Sequence, residues 1–168
     1  NKLVLTDSIL LGKPWPNRVG PSGIAVDSRN KKLFVATRED SSLYTIDLVS
    51  NKVIRKMSIG AEGYGCLLSK DRKFVYVSVW GGDRLLKIDA VTGQITASTI
   101  VGDNPNEIIL SKKGDRIFVA NANDNSVSVI STATMKVTET LNAALYPDAP
   151  AGSASNGLAL SADENRLY

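Results

Sequence analysis

The sequence predicts an all-β chain: a β-propeller of four-stranded antiparallel blades, here a fragment with three complete blades and partial blades at both ends. Three observations carry this. A period of 42 residues holds through three copies without a gap, and each period contains four strand-like segments. No segment keeps a 3.6-residue apolar period long enough to compete as a helix.

The period is read residue against residue. Ile24-Ala25-Val26-Asp27 recurs as Cys66-Leu67-Leu68-Ser69 and Ile108-Ile109-Leu110-Ser111. Leu33-Phe34-Val35-Ala36 recurs as Val75-Tyr76-Val77-Ser78 and Ile117-Phe118-Val119-Ala120. Leu43-Tyr44-Thr45-Ile46 recurs as Leu85-Leu86-Lys87-Ile88 and Val127-Ser128-Val129-Ile130, and Val53, Ile95 and Val137 open a fourth segment. β-Branched and aromatic residues suit a pleated, half-buried surface, and the polar Asn, Asp, Ser and Gly between them form turns. One four-stranded sheet cannot bury both faces alone, whereas sheets stacked around an axis bury them in sequence. The expected units are blades at 21–60, 63–102 and 105–142, an outer strand of a preceding blade at 1–12, and the start of a further blade at 156–168. Both ends are expected to be cut from a longer parent, and two copies are expected to self-associate through the open blade edges.

Composition removes several chemistries. The 168 residues are 43% apolar and 22% charged, with 20 Lys plus Arg against 17 Asp plus Glu for a net charge of +3. Histidine is absent, which excludes a Ser-His-Asp triad, His-ligated zinc and imidazole acid–base catalysis within the chain. A single cysteine, Cys66, excludes an internal disulfide framework, and its place on an inner strand reads as packing. No apolar run is long enough to span a bilayer, and no run of basic residues points to nucleic acid. The glycines form no phosphate loop, so no cofactor is expected. Glu39, Glu107 and Asp148 could join amide oxygens around calcium, but no close Asp-x-Asp-x-Asp loop supports it and no metal is assigned.

In an antiparallel meander the first-to-second and third-to-fourth turns share one end of the ring. The second-to-third loops and the blade-to-blade connections share the other. The longer, aromatic and amide-rich segments gather at that second end, around the mouth of a central channel. The candidate ligand-binding residues there are Trp15, Asn17, Arg18, Arg38, Glu39, Tyr64, Trp80, Asn106, Glu107, Asn121, Asn123, Tyr146, Asp148 and Asn156. The asparagines at 121–125 also fit a turn-forming role, and none of the candidates is assigned to catalysis.

Val119-Ala120-Asn121-Ala122-Asn123-Asp124-Asn125-Ser126-Val127-Ser128-Val129-Ile130 resembles the hallmark stretch of YVTN-type propeller repeats. Gly102-Asp103-Asn104-Pro105 resembles that group's glycine-then-proline lead into an inner strand, and Ser161-Ala162-Asp163 its Ser-Pro-Asp turn. The loops at 12–18 and 145–150 make the chain similar to YncE-like propellers of bacterial proteins that continue into an alkaline-phosphatase-like phosphoesterase domain. That resemblance implies an exported protein, in the periplasm or at the cell surface. The phosphoesterase residues have no counterpart in these 168 positions. The function expected is a non-catalytic module binding a small molecule, glycan or protein. A lactonase-like hydrolase using carboxylates such as Glu107 and Glu39, or a metal, at the channel mouth is one alternative, and a cell-surface structural protein is another.

Overall fold

A computed structural model describes residues 4–13, 16, 18–147, 149–152 and 155–168. Among the described residues, twelve strands form three antiparallel four-stranded sheets. The first is β1 (Pro21–Asp27), β2 (Lys32–Thr37), β3 (Ser42–Asp47) and β4 (Lys52–Ser58). The second is β5 (Gly63–Leu68), β6 (Phe74–Val79), β7 (Arg84–Asp89) and β8 (Ile95–Ile100). The third is β9 (Pro105–Leu110), β10 (Arg116–Asn121), β11 (Ser126–Ser131) and β12 (Lys136–Asn142). Within each sheet the strands lie in chain order, the meander that the 42-residue period predicts.

Repeated side chains close the turns. The Ser69 hydroxyl donates to Asp71 (2.7 Å) and accepts from the Phe74 amide (3.0 Å). Ser111 with Asp115 and Arg116, and Ser161 with Asp163 and Arg166, repeat the arrangement. After β3 and β7, Asp47 and Asp89 each accept two backbone amides of the following turn, so a short acidic side chain does there what a ladder partner does within a strand.

The apolar core lies between sheets. Phe34, Ala36 and Leu43 of the first sheet pack with Val75, Val77, Leu86 and Ile88 of the second. Tyr76 and Leu85, on the second sheet's other face, pack with Ile117, Val119, Ile130 and Met135. Neighbouring residues along one strand therefore serve opposite interfaces, as the two-residue side-chain period requires. Phe118, Val127 and Val129 are covered by Leu158, Leu160 and Leu167, where a single bridge joins Leu160 to Leu167 in a short hairpin.

The segment read as an outer strand at 1–12 differs. Its described residues 4–12 carry no strand. A strand needs a neighbour for its backbone groups, and none pairs among the described residues. Ile9 and Leu11 instead pack with Val19 over Val35, Tyr44 and Ile46 on the first sheet's outer face. The cover stops short of the axis, leaving Ile24 at 59% and Val26 at 56% exposed.

Candidate functional site

Each inner strand breaks register near its beginning. In β1 the pairing skips Ser22, in β5 it skips Tyr64 and Gly65, and in β9 it skips Asn106 and Glu107. Such bulges re-aim side chains and are frequent beside binding sites. Here they free three candidate residues, Tyr64, Asn106 and Glu107, from the ladder at one end of the axis.

The inner strands approach closely at this point. A Cβ on Gly23 would lie 2.4 Å from the Tyr64 carbonyl oxygen, and one on Gly65 would lie 2.8 Å from that of Asn106. Hydroxyls bridge the same contacts. Ser22 donates to Gly63 O (2.8 Å) and Ser78 to Asn106 O (2.5 Å), while the Gly65 amide donates to Ser78 Oγ (2.7 Å). Between the three strands lies a cavity of about 230 Å³, lined by Ser22, Gly23, Tyr64, Cys66, Glu107 and Ile108 among others. Glu107 is its one lining carboxylate. Burial pushes the Cys66 thiol up to about 12, which fits a packed side chain and not a nucleophile.

Above this cavity the Arg38 guanidinium lies over two rings, 5.2 Å from the Trp80 centroid and 6.0 Å from that of Tyr64. Arg38 belongs to the first blade and both rings to the second, so the stack spans a blade boundary. A one-turn 3-10 helix at Trp80–Gly82 carries the indole, and the Trp80 amide donates to Glu62 O (2.7 Å). On the far side the Tyr64 hydroxyl lies 3.5 Å from Asn156 Oδ1. Asn106, 3% exposed, donates to the same oxygen (2.7 Å) and to Ser155 O (3.1 Å). Arg38, Tyr64, Trp80, Asn106, Glu107 and Asn156 thus form one continuous rim at this end of the inner strands.

Other candidates lie apart from that rim. Asn121 is fully buried, donating to Ser126 Oγ and Ser128 Oγ (both 2.9 Å), and its Oδ1 has no partner among the described residues. Asn123 donates to Asn104 Oδ1 of the preceding connection. The Glu39 carboxylate lies against Gly20, in the space a Cβ there would occupy. Tyr146 is 55% exposed. Arg18 lines a separate cavity of about 550 Å³ over the first sheet's outer face, with Asp40, Tyr44 and Lys56. Burial opposes ionisation of Asp40, yet bonds from Thr37, Tyr44 and Lys56 hold its carboxyl below the ordinary value, so the acid serves an ion pair. Trp15, Asn17 and Asp148 lie outside the described residues. Among the described residues no three metal-ligating side chains converge.

Sequence reasoning missed Ser22, Ser78 and Ser155, which fasten the rim. A signal existed for the first: small residues at 22–23, 63 and 65, where the period elsewhere permits larger ones such as Tyr64, Asn106 and Glu107.

Residues 65–151 match the model of a family described as Lactonase, 7-bladed beta-propeller. No curated protein matches the chain. Among solved structures, the hydrazine synthase of Kuenenia stuttgartiensis is similar over 95% of this chain and 44% of its own, at 21% identity and a TM-score of 0.77. U3-55K is similar over 77% of this chain and 41% of its own, at 16% identity and a TM-score of 0.68. The chain spans less than half the length of either structure, and at these identities the likeness is one of fold.

Proposed function

We propose, from the premise that this chain belongs to the seven-bladed Lactonase β-propeller family, that the channel-mouth rim binds a hydroxyl-rich small molecule such as a sugar or sugar lactone. The observation that carries the reading is the set of bulges freeing Tyr64, Asn106 and Glu107 beside the Arg38–Trp80 stack. A guanidinium held over aromatic faces keeps its outward N–H groups for acceptors. The buried Asn106 holds Asn156 in place, so the Asn156 amide and the Tyr64 phenol add polar groups at fixed positions, and the cavity between the inner strands admits a small polar group. The likeness of residues 119–130 to YVTN-type repeats supports placing this binding role in an exported bacterial protein.

A second reading is favoured by Glu107 and by the family's name. A carboxylate at the cavity could act as general base in lactone hydrolysis. Calorimetric titration with a panel of sugars, aldonic acids and lactones separates the two. The binding reading expects saturable association that weakens about tenfold in Trp80→Ala, with no turnover. Lactone hydrolysis lost in Glu107→Gln establishes the second reading, and no binding across the panel overturns the first.

A further inference from the structure

The two ends of the three sheets carry opposite charge. The turns at 27–32, 47–52, 69–73, 89–94, 111–116 and 131–136 hold eleven Lys and Arg against five Asp. The loops at 38–41, 59–62, 80–83, 101–104 and 122–125 hold one cation, Arg38, against six acids. The five Asp of the basic end are already engaged. Asp27 pairs with Arg72, Asp71 and Asp115 accept serine hydroxyls, and Asp47 and Asp89 accept turn amides. The turn at 161–166 adds Asp163 and Glu164 against Arg166 at the same end, but Asp163 accepts the Ser161 hydroxyl and Glu164 the Lys112 amide, so cations still outnumber the free carboxylates.

Between the second and third sheets this end opens into a cavity of about 280 Å³. Lys70, Lys87 and Lys113 line it, with the rings of Phe74 and Tyr76 as wall and Ser69, Gly114 and Thr132 at its edge. Lys87 is fixed before any ligand arrives. Its ammonium lies 4.2 Å from the Phe74 ring centroid and donates to Thr132 O at 3.2 Å. An ammonium has three N–H groups, so this arrangement leaves one for a further acceptor. Asp71 is the one acid lining the cavity, and its Oδ1 takes the Ser69 hydroxyl and the Lys73 amide.

We infer that this inter-blade cavity seats the phosphate or sulfate group of an anionic ligand, with Lys87 as the fixed contact and Lys70 and Lys113 closing from the two adjoining turns. The charge of the whole end raises the local anion concentration, and the low-dielectric walls between two sheets strengthen contacts made inside. The inference is independent of the channel-mouth reading, because the two sites lie at opposite ends of the sheets and share no residue.

Titrating the chain with inorganic phosphate and, separately, with sulfate at low ionic strength, followed by amide chemical shifts, tests it. Saturable shifts at Ser69, Asp71, Gly114 and Thr132 are expected with at least one of the two anions, and the tighter one identifies the ester preferred. Lys70→Gln and Lys113→Gln, both on exposed turns, should each weaken binding about threefold, with affinity falling steeply as salt is added. Arg84→Gln, near the opposite end, should leave it unchanged. Non-saturating shifts spread over all the basic turns, or equal affinity in the Lys70→Gln/Lys113→Gln double variant, would overturn the inference.

Discussion

Arg72 of the second blade donates from Nη1 to Oδ1 of Asp27 in the first, 2.8 Å across the junction between repeats. Asp27 is 1% exposed, and Asn30 completes its shell with its amide N–H and its side chain. The equivalent positions in the next two copies are Ser69 and Ser111, so this pair is specific to one junction.

Removing Arg72 leaves a buried carboxylate without its ion partner. Arg72→Ala is expected to cost about 2–3 kcal/mol, less than a wholly buried pair because a third of the Arg72 side chain reaches solvent. Urea unfolding of the variant and of Asp27→Asn/Arg72→Ala measures it, with the double change less damaging than the single.

Acid should act on the same group. Burial of Asp27 opposes its ionisation, but bonds from Asn30 and Arg72 outweigh that and hold its carboxyl below the ordinary 3.8. A depressed folded-state value means the contribution is complete above the unfolded value and disappears as pH falls through the folded one. Stability should therefore drop below about pH 4 and drop less in Asp27→Asn. Parallel acid limbs in the two proteins would refute the assignment.

Gly65→Ala tests the close approach of the inner strands. Its Cβ would meet Asn106 O, Ile108 Cγ1 and Ser78 Oγ within 2.9 Å, two blades converging on one point. A loss of about 1–3 kcal/mol is expected, with weaker ligand binding at the rim because Asn106 must move. Ser78→Ala should cost about 1–2 kcal/mol by stranding the Gly65 amide.

The Cys66 thiol, pushed up to about 12 by its surroundings and partly buried at the cavity, should label much more slowly with a disulfide reagent at pH 8 in the folded chain than in the unfolded one. Rapid labelling of the folded chain would show the inner strands to be open.

Ile24, Val26 and Ile54 leave apolar surface on the first sheet, exposed by 59%, 56% and 53%. This chain in isolation is expected to associate at micromolar concentration, and Ile24→Lys should shift it toward monomer in sedimentation. A chain that stays monomeric at all concentrations would contradict this.

The blades were legible because a two-residue side-chain period inside a 42-residue repeat places Val35, Val77 and Val119 at one register and Leu43 and Leu85 at another. Contacts between blades were not. Arg38 reaches Trp80 and Tyr64 through a side-chain geometry that no spacing encodes, and the Asp27–Arg72 pair sits where the repeat departs from its own pattern. Asn121 looked like a loop-tip amide but closes β10 from inside, since Ser126 and Ser128 offer it buried acceptors. The opposite charge of the two ends emerges only once the turns are assigned to their ends, because basic and acidic residues alternate along the chain.

The central claim is that the rim is assembled from successive blades whose inner strands touch near the axis. Proton–proton cross-relaxation tests it most directly. Cross-peaks are predicted from Gly23 Hα to the Cys66 amide and from Gly65 Hα to Ile108, pairs 43 residues apart in sequence. Spectra with every strand-pairing contact inside each sheet but none between residues 21–24 and 63–66, or between 63–66 and 105–108, would contradict the stacked arrangement and the rim built on it.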